Sequence, residues 1–315
     1  KQKRNTNITI INFDLDDFEM ATPTHVTGCI RARKLYAVST QDSSICVSFT
    51  NLNLGCSVLL DVADHPAYLE TAGDVPVSLT LVQDKNSHSY VGTNLKVLHQ
   101  FITLNHLPYK GVPVRELLTS TQEWLDACPY DTLRKFAYQV LGTPSIGGLF
   151  FSIPVTKDRH FSEPGGLARH SLEVAQIVYG STMCFAEHER WLAAIAGLFH
   201  EIGRVYMNTV NGTPKATAGL VSYEVLNFEV LGPALQLFEK EWADGAEAIR
   251  HMLESFCKTR QNGPHLPITF SIRSADFMSM TNNQRQMSFK DKPQSERFAR
   301  LGNSQSEVFW QPSAP

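Results

Sequence analysis

Hydrophobic and polar residues alternate in short runs through the first hundred or so residues, with the period of two that is typical of β-strands. β-Branched residues dominate these runs, and turn-forming residues such as Asp, Asn, Ser and Gly separate them. The predicted strands are residues 8–11, 26–30, 44–49, 57–60 and 77–82. Five or six short strands in this length favour a small antiparallel barrel, with the OB-fold as the natural candidate, over a β-sandwich or a dimerisation cap.

From Val112 onward the apolar residues recur at helical spacing, so the pattern predicts an all-α region. The predicted helices are residues 113–125, 130–141, 166–180, 190–206, 233–257 with a break near Gly245, and 268–281. Residues 287–315 are polar except for the cluster Val308-Phe309-Trp310, which is either a docking segment or simply exposed. The sequence therefore predicts an α+β protein with an N-terminal small β-barrel (OB-like) over 1–110, an all-α domain over 111–286 and a polar tail or linker over 287–315.

Composition and charge exclude several classes of protein. The chain has 315 residues, a formal net charge of −3 and a pI of about 6.4, which removes the basic signature of many DNA-binding domains but leaves a local basic patch open. No apolar run approaches the roughly 18–20 residues of a membrane-spanning helix, and no apolar stretch follows the basic start as in a secretory signal. The six cysteines form no CxxC pair, which argues against a zinc ribbon. We therefore predict a cytoplasmic protein with no membrane association.

Three predicted helices place metal-binding side chains among apolar residues. His200 and Glu201 follow an apolar run, and His170 and Asp276 lie in two other helical patterns. A buried imidazole or carboxylate is costly unless a partner satisfies it, and a divalent metal is one such partner. Each residue alone is more often an ordinary hydrogen-bonded core residue. Together, in the order His, His-acid, Asp, they favour a metal site.

This order resembles that of the HD-domain metal-dependent phosphohydrolases, over about residues 154–280. The segment 154–175, which includes Pro164-Gly165-Gly166-Leu167 and His170-Ser171-Leu172-Glu173-Val174-Ala175, is similar to a motif of the TraI-like domain of MobH conjugative relaxases. A related version occurs in the YhaM-type exoribonucleases, which join an OB-like domain to an HD domain in a chain of similar length. The resemblance implies that the all-α region is of HD type.

The resemblance also implies roles for individual residues. The implied metal ligands are His170, His200, Glu201, His251 and Asp276, with His265 as a weaker candidate. Glu201 and Arg204 would be catalytic, Arg204 by offering donors to a phosphate. The implied cofactor is a divalent metal, and the ligand types suit Mn, Fe, Mg or Zn without choosing among them.

The sequence departs from the family pattern at three positions. Glu201 and Arg204 stand where the family has Asp and Lys, and His160 matches only one member of a paired-histidine motif. A longer carboxylate displaces the metal from a geometry built for Asp, and a misplacement on the order of 1 Å can cost about a hundredfold in rate. Either the surroundings of the site have adapted to Glu201, or the site is degenerate.

A basic and aromatic stretch follows the second predicted strand. Arg31, Arg33, Lys34 and Tyr36 alternate and could present a binding face to single-stranded DNA or RNA, as in OB-folds, or could be an ordinary exposed sheet face. The acidic cluster at residues 14–19 could bind a cation, but a solvated strand end is the better interpretation.

The leading functional hypothesis is a divalent-metal-dependent phosphodiesterase acting on nucleic acid, either a relaxase-like nuclease or an exonuclease, in a chain that could form a homo-oligomer. The alternative is a degenerate, inactive HD domain that serves as a nucleic-acid-binding or assembly module. A third hypothesis is hydrolysis of nucleotides or cyclic dinucleotides, with the barrel as a regulatory domain.

Overall fold

The computed structural model describes residues 22–31, 44–51, 54–61, 75–83, 90–98, 103–107, 114–257, 264–302 and 307–312. The chain divides into two compact units, residues 1–110 and 111–315, called here the barrel unit and the helical unit. The first contains a closed five-stranded barrel and the second is mostly helical, which confirms the predicted α+β class.

Five strands form the barrel unit. They are β1 (Thr24–Arg31), β2 (Ser44–Thr50), β3 (Gly55–Asp61), β4 (Val75–Gln83) and β5 (Tyr90–Val97). The order around the barrel is β1-β2-β3-β5-β4, and β4 pairs with β1 to close it. All neighbouring strands are antiparallel except β3 and β5, which are parallel. A closed five-stranded barrel of this kind is OB-like.

Alternate residues of each strand point into the barrel and form its core. On β4 the inward residues are Val77, Leu79 and Leu81, as the period of two predicts. Phe49 is fully buried, and Gly28 on β1 leaves room for its ring: a Cβ at position 28 would lie 2.4 Å from it. The barrel therefore closes around a purely apolar cluster.

Four of the predicted strands are observed, and one observed strand was not individually predicted. β5 contains Gly92 and Asn94, the latter with a φ of 54°, and these residues interrupt the apolar alternation. Gly92 is needed because a Cβ there would lie 2.7 Å from the side chains of Val58 and Leu60. The predicted strand 8–11 lies outside the described residues.

Nine α-helices occur among the described residues of the helical unit. They are α1 (Arg115–Asp126), α2 (Asp131–Leu141), α3 (Pro144–Phe150), α4 (Gly166–Ser181), α5 (Glu187–Leu198), α6 (Arg204–Met207), α7 (Tyr223–Glu241), α8 (Ala243–Glu254) and α9 (Thr269–Phe289). Helices α4, α5 and α9 pack against one another, and α8 packs against α5. This packing brings the apolar faces of the central helices together around the interior of the unit.

Two predicted helices are broken in the structure. The helix predicted over 190–206 is α5 and α6 separated by a turn, so His200 and Glu201 lie in that turn and not in a helix. The helix predicted over 233–257 with a break near Gly245 is α7 and α8; the break is observed at Trp242 (φ −151°), close to the predicted position, but α7 already begins at Tyr223. The indole of Trp242 packs over Gly245, where a Cβ would lie 2.6 Å from the ring.

The segment predicted to be a tail or linker, residues 287–315, contains regular structure. It begins with the last residues of α9, and β6 (Phe298–Arg300) then pairs antiparallel with β7 (Val308–Trp310). Both strands contact α9, and Ala299 is buried. The apolar cluster at 308–310 thus supplies one strand of a small sheet. Among the described residues, no helix has both the length and the apolarity that crossing a membrane requires.

Candidate metal centre

Three packed elements bring the predicted ligands together. His170 lies on α4, Asp276 lies on α9, and His200 and Glu201 lie in the turn after α5. The start of α4 is fixed by two glycines of the sequence motif. Gly165 has a φ of +77°, and a Cβ on Gly166 would lie 2.1 Å from the carbonyl oxygen of Phe161. The Gly-Gly pair thus lets the preceding loop pack closely on the helix that carries His170.

The turn after α5 exists because its end packs against the backbone of α7. A Cβ on Gly203 would lie 2.2 Å from the carbonyl oxygen of Tyr223, so only glycine permits this approach. The buried amide of Asn227 on α7 accepts a 2.7 Å hydrogen bond from the Gly203 N–H and donates one of 2.6 Å to the carbonyl of His200. These two bonds hold the turn that presents His200 and Glu201.

The ligand atoms of His170, His200 and Glu201 all lie within 4.8 Å of one another, and all three residues are buried. Asp276 Oδ1 lies 3.2 Å from His170 Nε2 and 3.7 Å from His200 Nε2. The Oε2 atom of Glu201 lies 3.9 Å from His170 Nε2. The mutually close set is therefore two imidazoles and the Glu201 carboxylate, and the Asp276 carboxylate lies beside both imidazoles. These are donor types that divalent transition metals take.

The hydrogen bonds of His170 fix its tautomer. Its Nδ1 lies 3.0 Å from Ser279 Oγ, and the Ser279 hydroxyl donates its proton to Glu173 Oε2 at 2.9 Å. Because the hydroxyl proton of Ser279 is already donated to Glu173, Ser279 Oγ accepts a hydrogen bond from His170 Nδ1–H. In neutral His170, Nε2 then carries a lone pair that points toward Asp276 and Glu201.

His200 is oriented in the same way. Its Nδ1–H donates to the carbonyl of Gly197 at 2.7 Å, so Nε2 of the neutral ring carries a lone pair. Among the described residues, neither His200 Nε2 nor Glu201 Oε2 has a hydrogen-bond partner, although both atoms are buried. Buried polar atoms are rarely left in this state, and a cation between them would satisfy both. The donor set therefore fits a divalent metal.

The two carboxyl groups are ionised. Burial would raise the pKa of Glu201, but Arg204 above all, and then the two histidines, outweigh it and hold that pKa below its ordinary value. Burial likewise opposes ionisation of Asp276, but His170 and His200 hold its pKa well below the ordinary range. Two negative charges thus face the point between the ligands.

The centre opens to solvent at Asp276, whose side chain is 32 % exposed, whereas those of His170, His200 and Glu201 are at most 6 % exposed. His160 lies beside the centre, with its ring centroid 6.4 Å from that of His170. Its Nδ1 is buried and has no hydrogen-bond partner among the described residues. Burial lowers the pKa of His160 more than the nearby carboxylates raise it, so its imidazole is neutral at pH 7.

Arg204 lies next to Glu201 and is tightly held. It forms an ion pair with Glu201 Oε1, donates to the carbonyl of Val155 and stacks on the ring of Tyr223 at 4.3 Å. Its side chain is 19 % exposed.

His251, which the family resemblance gives as a further ligand, lies on α8 and lines a cavity of about 640 Å³ together with Glu254 and His265. Neither the three ligands of the mutually close set nor Asp276 is among the described residues of that lining. The group of mutually close ligand atoms among the described residues contains neither histidine.

The predicted nucleic-acid face of the barrel falls largely outside the described residues. Arg31 ends β1, and its side chain is not described, while Arg33, Lys34 and Tyr36 and the acidic cluster at 14–19 lie outside the described part of the chain. The binding role of these residues stays a prediction.

Sequence reasoning missed the residues that orient the ligands. Asn227 stands between the apolar residues Leu226 and Phe228, and Glu173 lies three residues after His170 in the same motif, so both carried a detectable signal. Ser279 carried none, since it lies among other polar residues of α9. Serines are frequent on helices, and only the packing of α9 on α4 makes this one a partner of His170.

No protein-family model matches this chain, and no curated protein matches it either.

Proposed function

We propose that the helical unit is a divalent-metal-dependent phosphodiesterase of HD type that acts on nucleic acid. The observation that carries this proposal is the convergence of two imidazole lone pairs and one free carboxylate oxygen on a buried point with no hydrogen bond between them. With both rings neutral, this arrangement is repulsive without a cation and favourable around one. The order of the ligands along the chain, which resembles that of HD-domain phosphohydrolases, supports the reaction class.

In this proposal His170, His200, Glu201 and Asp276 hold the metal, which when bound would lower the pKa of a water molecule and neutralise a phosphate. The protein side chains do the rest. Ser279 and the carbonyl of Gly197 keep both imidazoles in the ligating tautomer. The exposed side of Asp276 is where a phosphodiester can approach, because the other three ligands are closed off from solvent.

The second candidate function is a binding module built on a degenerate centre. It is favoured by the ion pair between Arg204 and Glu201, which occupies one carboxylate oxygen and offsets one of the two negative charges. The hydrogen bonds of the two histidines argue against a degenerate centre. In each ring Nδ1 still has an acceptor that fixes the tautomer, Ser279 Oγ for His170 and the Gly197 carbonyl for His200.

The test is cleavage of single-stranded DNA and RNA oligonucleotides in the presence of Mn, Fe, Mg or Zn. We expect the wild-type protein to cleave and His200→Ala to be inactive, while His188→Ala, which removes an exposed histidine of α5, keeps full activity. Site-selective nicking would identify the relaxase-like class, and progressive shortening from one end would identify the exonuclease class.

Binding of oligonucleotides without cleavage under any of these metals, and equal binding by His200→Ala, would contradict the enzyme proposal and support the binding module. Cleavage of mononucleotides alone would leave the metal centre in place and refute nucleic acid as the substrate.

A further inference from the structure

Arg204 contacts three groups of the protein, and together they direct its guanidinium away from solvent. One terminal nitrogen pairs with Glu201 Oε1, the other donates to the carbonyl oxygen of Val155 at 3.4 Å, and the guanidinium lies over the ring of Tyr223. We infer that Arg204 is a positioning residue that fixes Glu201 as a metal ligand, and not a residue that binds the substrate phosphate. This inference rests on the metal centre proposed above.

The reason a positioning residue is needed lies in the length of Glu201. A glutamate has one more rotatable bond than an aspartate, so its carboxylate can adopt more orientations at the end of a longer arm. Arg204 removes this freedom by pairing with Oε1, which leaves Oε2 facing the ligating atoms, 3.9 Å from His170 Nε2. Glu201 and Arg204 thus form one unit, and each accounts for the presence of the other.

The guanidinium is itself held in place from two further sides. The face of Tyr223 restricts it to one plane, and Tyr223 begins α7, the same helix whose Asn227 anchors the turn. The Val155 carbonyl fixes the second terminal nitrogen. A planar cation with two terminal nitrogens can make both contacts at once, which the single ammonium group of a lysine cannot do in the same plane.

A phosphate-binding role is inconsistent with this geometry. The two terminal nitrogens of Arg204 are engaged by Glu201 Oε1 and the Val155 carbonyl, and its Nε is buried, so a phosphate would have to compete with these contacts. Turning the guanidinium toward a substrate would break its pair with Glu201 and leave a carboxylate buried and unpaired. Breaking a buried ion pair in this way is strongly unfavourable.

The test measures the affinity for Mn²⁺ without substrate, by isothermal titration calorimetry on the full chain. We expect Arg204→Met to bind Mn²⁺ about 10- to 100-fold more weakly than wild type, as is usual when a residue that orients a ligand is removed. We expect Arg204→Lys to show a smaller loss, because it retains the charge beside Glu201 but cannot make both contacts.

Arg190→Met is the matched control. Arg190 stacks on the ring of Tyr179 at 4.1 Å and donates to the Tyr179 carbonyl at 2.9 Å, so it resembles Arg204 in both contacts but pairs with no ligand of the centre. Its replacement should leave Mn²⁺ affinity unchanged. Circular dichroism establishes that each variant is folded, and if Arg204→Met does not fold, the comparison of Arg204→Lys with wild type decides the question.

The outcomes separate this inference from the proposed function. If wild type binds Mn²⁺ and the Arg204 variants bind it equally well while KM for an oligonucleotide rises, Arg204 binds phosphate and the inference is wrong. If wild type binds no divalent metal, the proposed function fails, and the positioning role fails with it. Weaker Mn²⁺ binding by the Arg204 variants alone supports the inference.

Discussion

The core of the five-stranded barrel and the interior of the helical unit contain different kinds of side chain, although the barrel unit also buries His106 outside its strands. The barrel unit closes around an apolar cluster in which alternate strand residues interlock, and no charged group is needed there. The interior of the helical unit contains His170, His200, Glu201 and Asn227, all buried. Because a polar side chain in a protein interior costs free energy unless it is paired, the second interior needs an explanation that the first does not.

The pattern of pairing gives that explanation. The outward atoms are all bonded: His170 to Ser279, His200 to the Gly197 carbonyl and Glu201 Oε1 to Arg204. The inward atoms His200 Nε2 and Glu201 Oε2 have no hydrogen-bond partner among the described residues. An interior that satisfies its polar groups on one side only is arranged to receive a ligand, whereas the barrel core consists of apolar side chains that need no polar partner. Four predictions test this contrast.

The largest effect on stability is expected in the barrel core. Phe49→Ala removes a fully buried ring and should lower the free energy of unfolding by about 3–5 kcal/mol, the usual cost of such a cavity. Urea denaturation followed by circular dichroism measures the loss, with the exposed Thr24→Ala as control. The metal affinity of the folded variant should equal that of wild type. A loss of metal affinity in Phe49→Ala would contradict the view that the barrel core and the metal centre have separate roles.

The next effect concerns the turn that carries His200 and Glu201. Gly203→Ala places a methyl group 2.2 Å from the Tyr223 carbonyl, so the backbone must shift, at an expected cost of about 2–3 kcal/mol together with weakened metal binding. Gly180→Ala is the matched control. Nothing lies within 4 Å of its added Cβ, and in helix α4 the change should stabilise by about 0.4–1 kcal/mol. Equal effects of the two changes would show that the turn does not need this close approach.

A smaller effect is expected for the residue that fixes the tautomer of His170. Ser279→Ala removes the acceptor of Nδ1–H and should weaken metal binding by about tenfold, with little change in fold. Ser274→Ala, on the same helix, removes only a hydroxyl bonded to the Phe270 carbonyl and should change nothing. Calorimetric titration of both variants with Mn²⁺ measures the difference, and equal affinities would refute the role of Ser279.

The last prediction concerns a gradual effect, the change of metal affinity with pH. Burial lowers the pKa of His200, but Asp276 and Glu201 outweigh it, so the net shift is upward and the metal-free protein keeps a proton there to higher pH than a free histidine does. That proton stabilises the metal-free fold below the unfolded pKa, about 6.5, and its contribution is lost as pH rises through the folded pKa.

A metal must displace this proton, so its apparent affinity should fall by up to about tenfold for each pH unit of acidification. Calorimetry in two buffers of different ionisation enthalpy counts the protons released. A pH-independent affinity with no proton release would contradict ligation through His200.

Sequence reasoning was most accurate where a single period decides the structure. The alternation over residues 77–82 predicted β4, and helical spacing predicted α1, α2 and α4 to within a few residues. It failed where contacts distant in sequence override the period. The helix predicted over 190–206 breaks because Gly203 approaches α7. Strand β5 was not predicted because it carries Gly92, a residue that the packing of Val58 and Leu60 requires but that is uncommon in strands.

The same limit applies to the centre. His170, His200, Glu201 and Asp276 could be named from the sequence, because polar ligands in apolar helical patterns are conspicuous. Their partners could not, since Ser279 and Tyr223 gain their roles only when α9 packs on α4 and α7 packs on the turn. The family resemblance also suggested that Arg204 donates hydrogen bonds to a phosphate, a role that its pairing with Glu201 argues against.

The most direct test of the metal centre is elemental analysis of the purified wild-type protein and of His200→Ala, both prepared without chelator and then incubated with Mn²⁺, Fe²⁺ or Zn²⁺. The arrangement of His170, His200, Glu201 and Asp276 predicts bound metal in the wild type and its loss in a folded His200→Ala. Metal-free wild-type protein after all three incubations would contradict the account and leave the binding module as the better explanation.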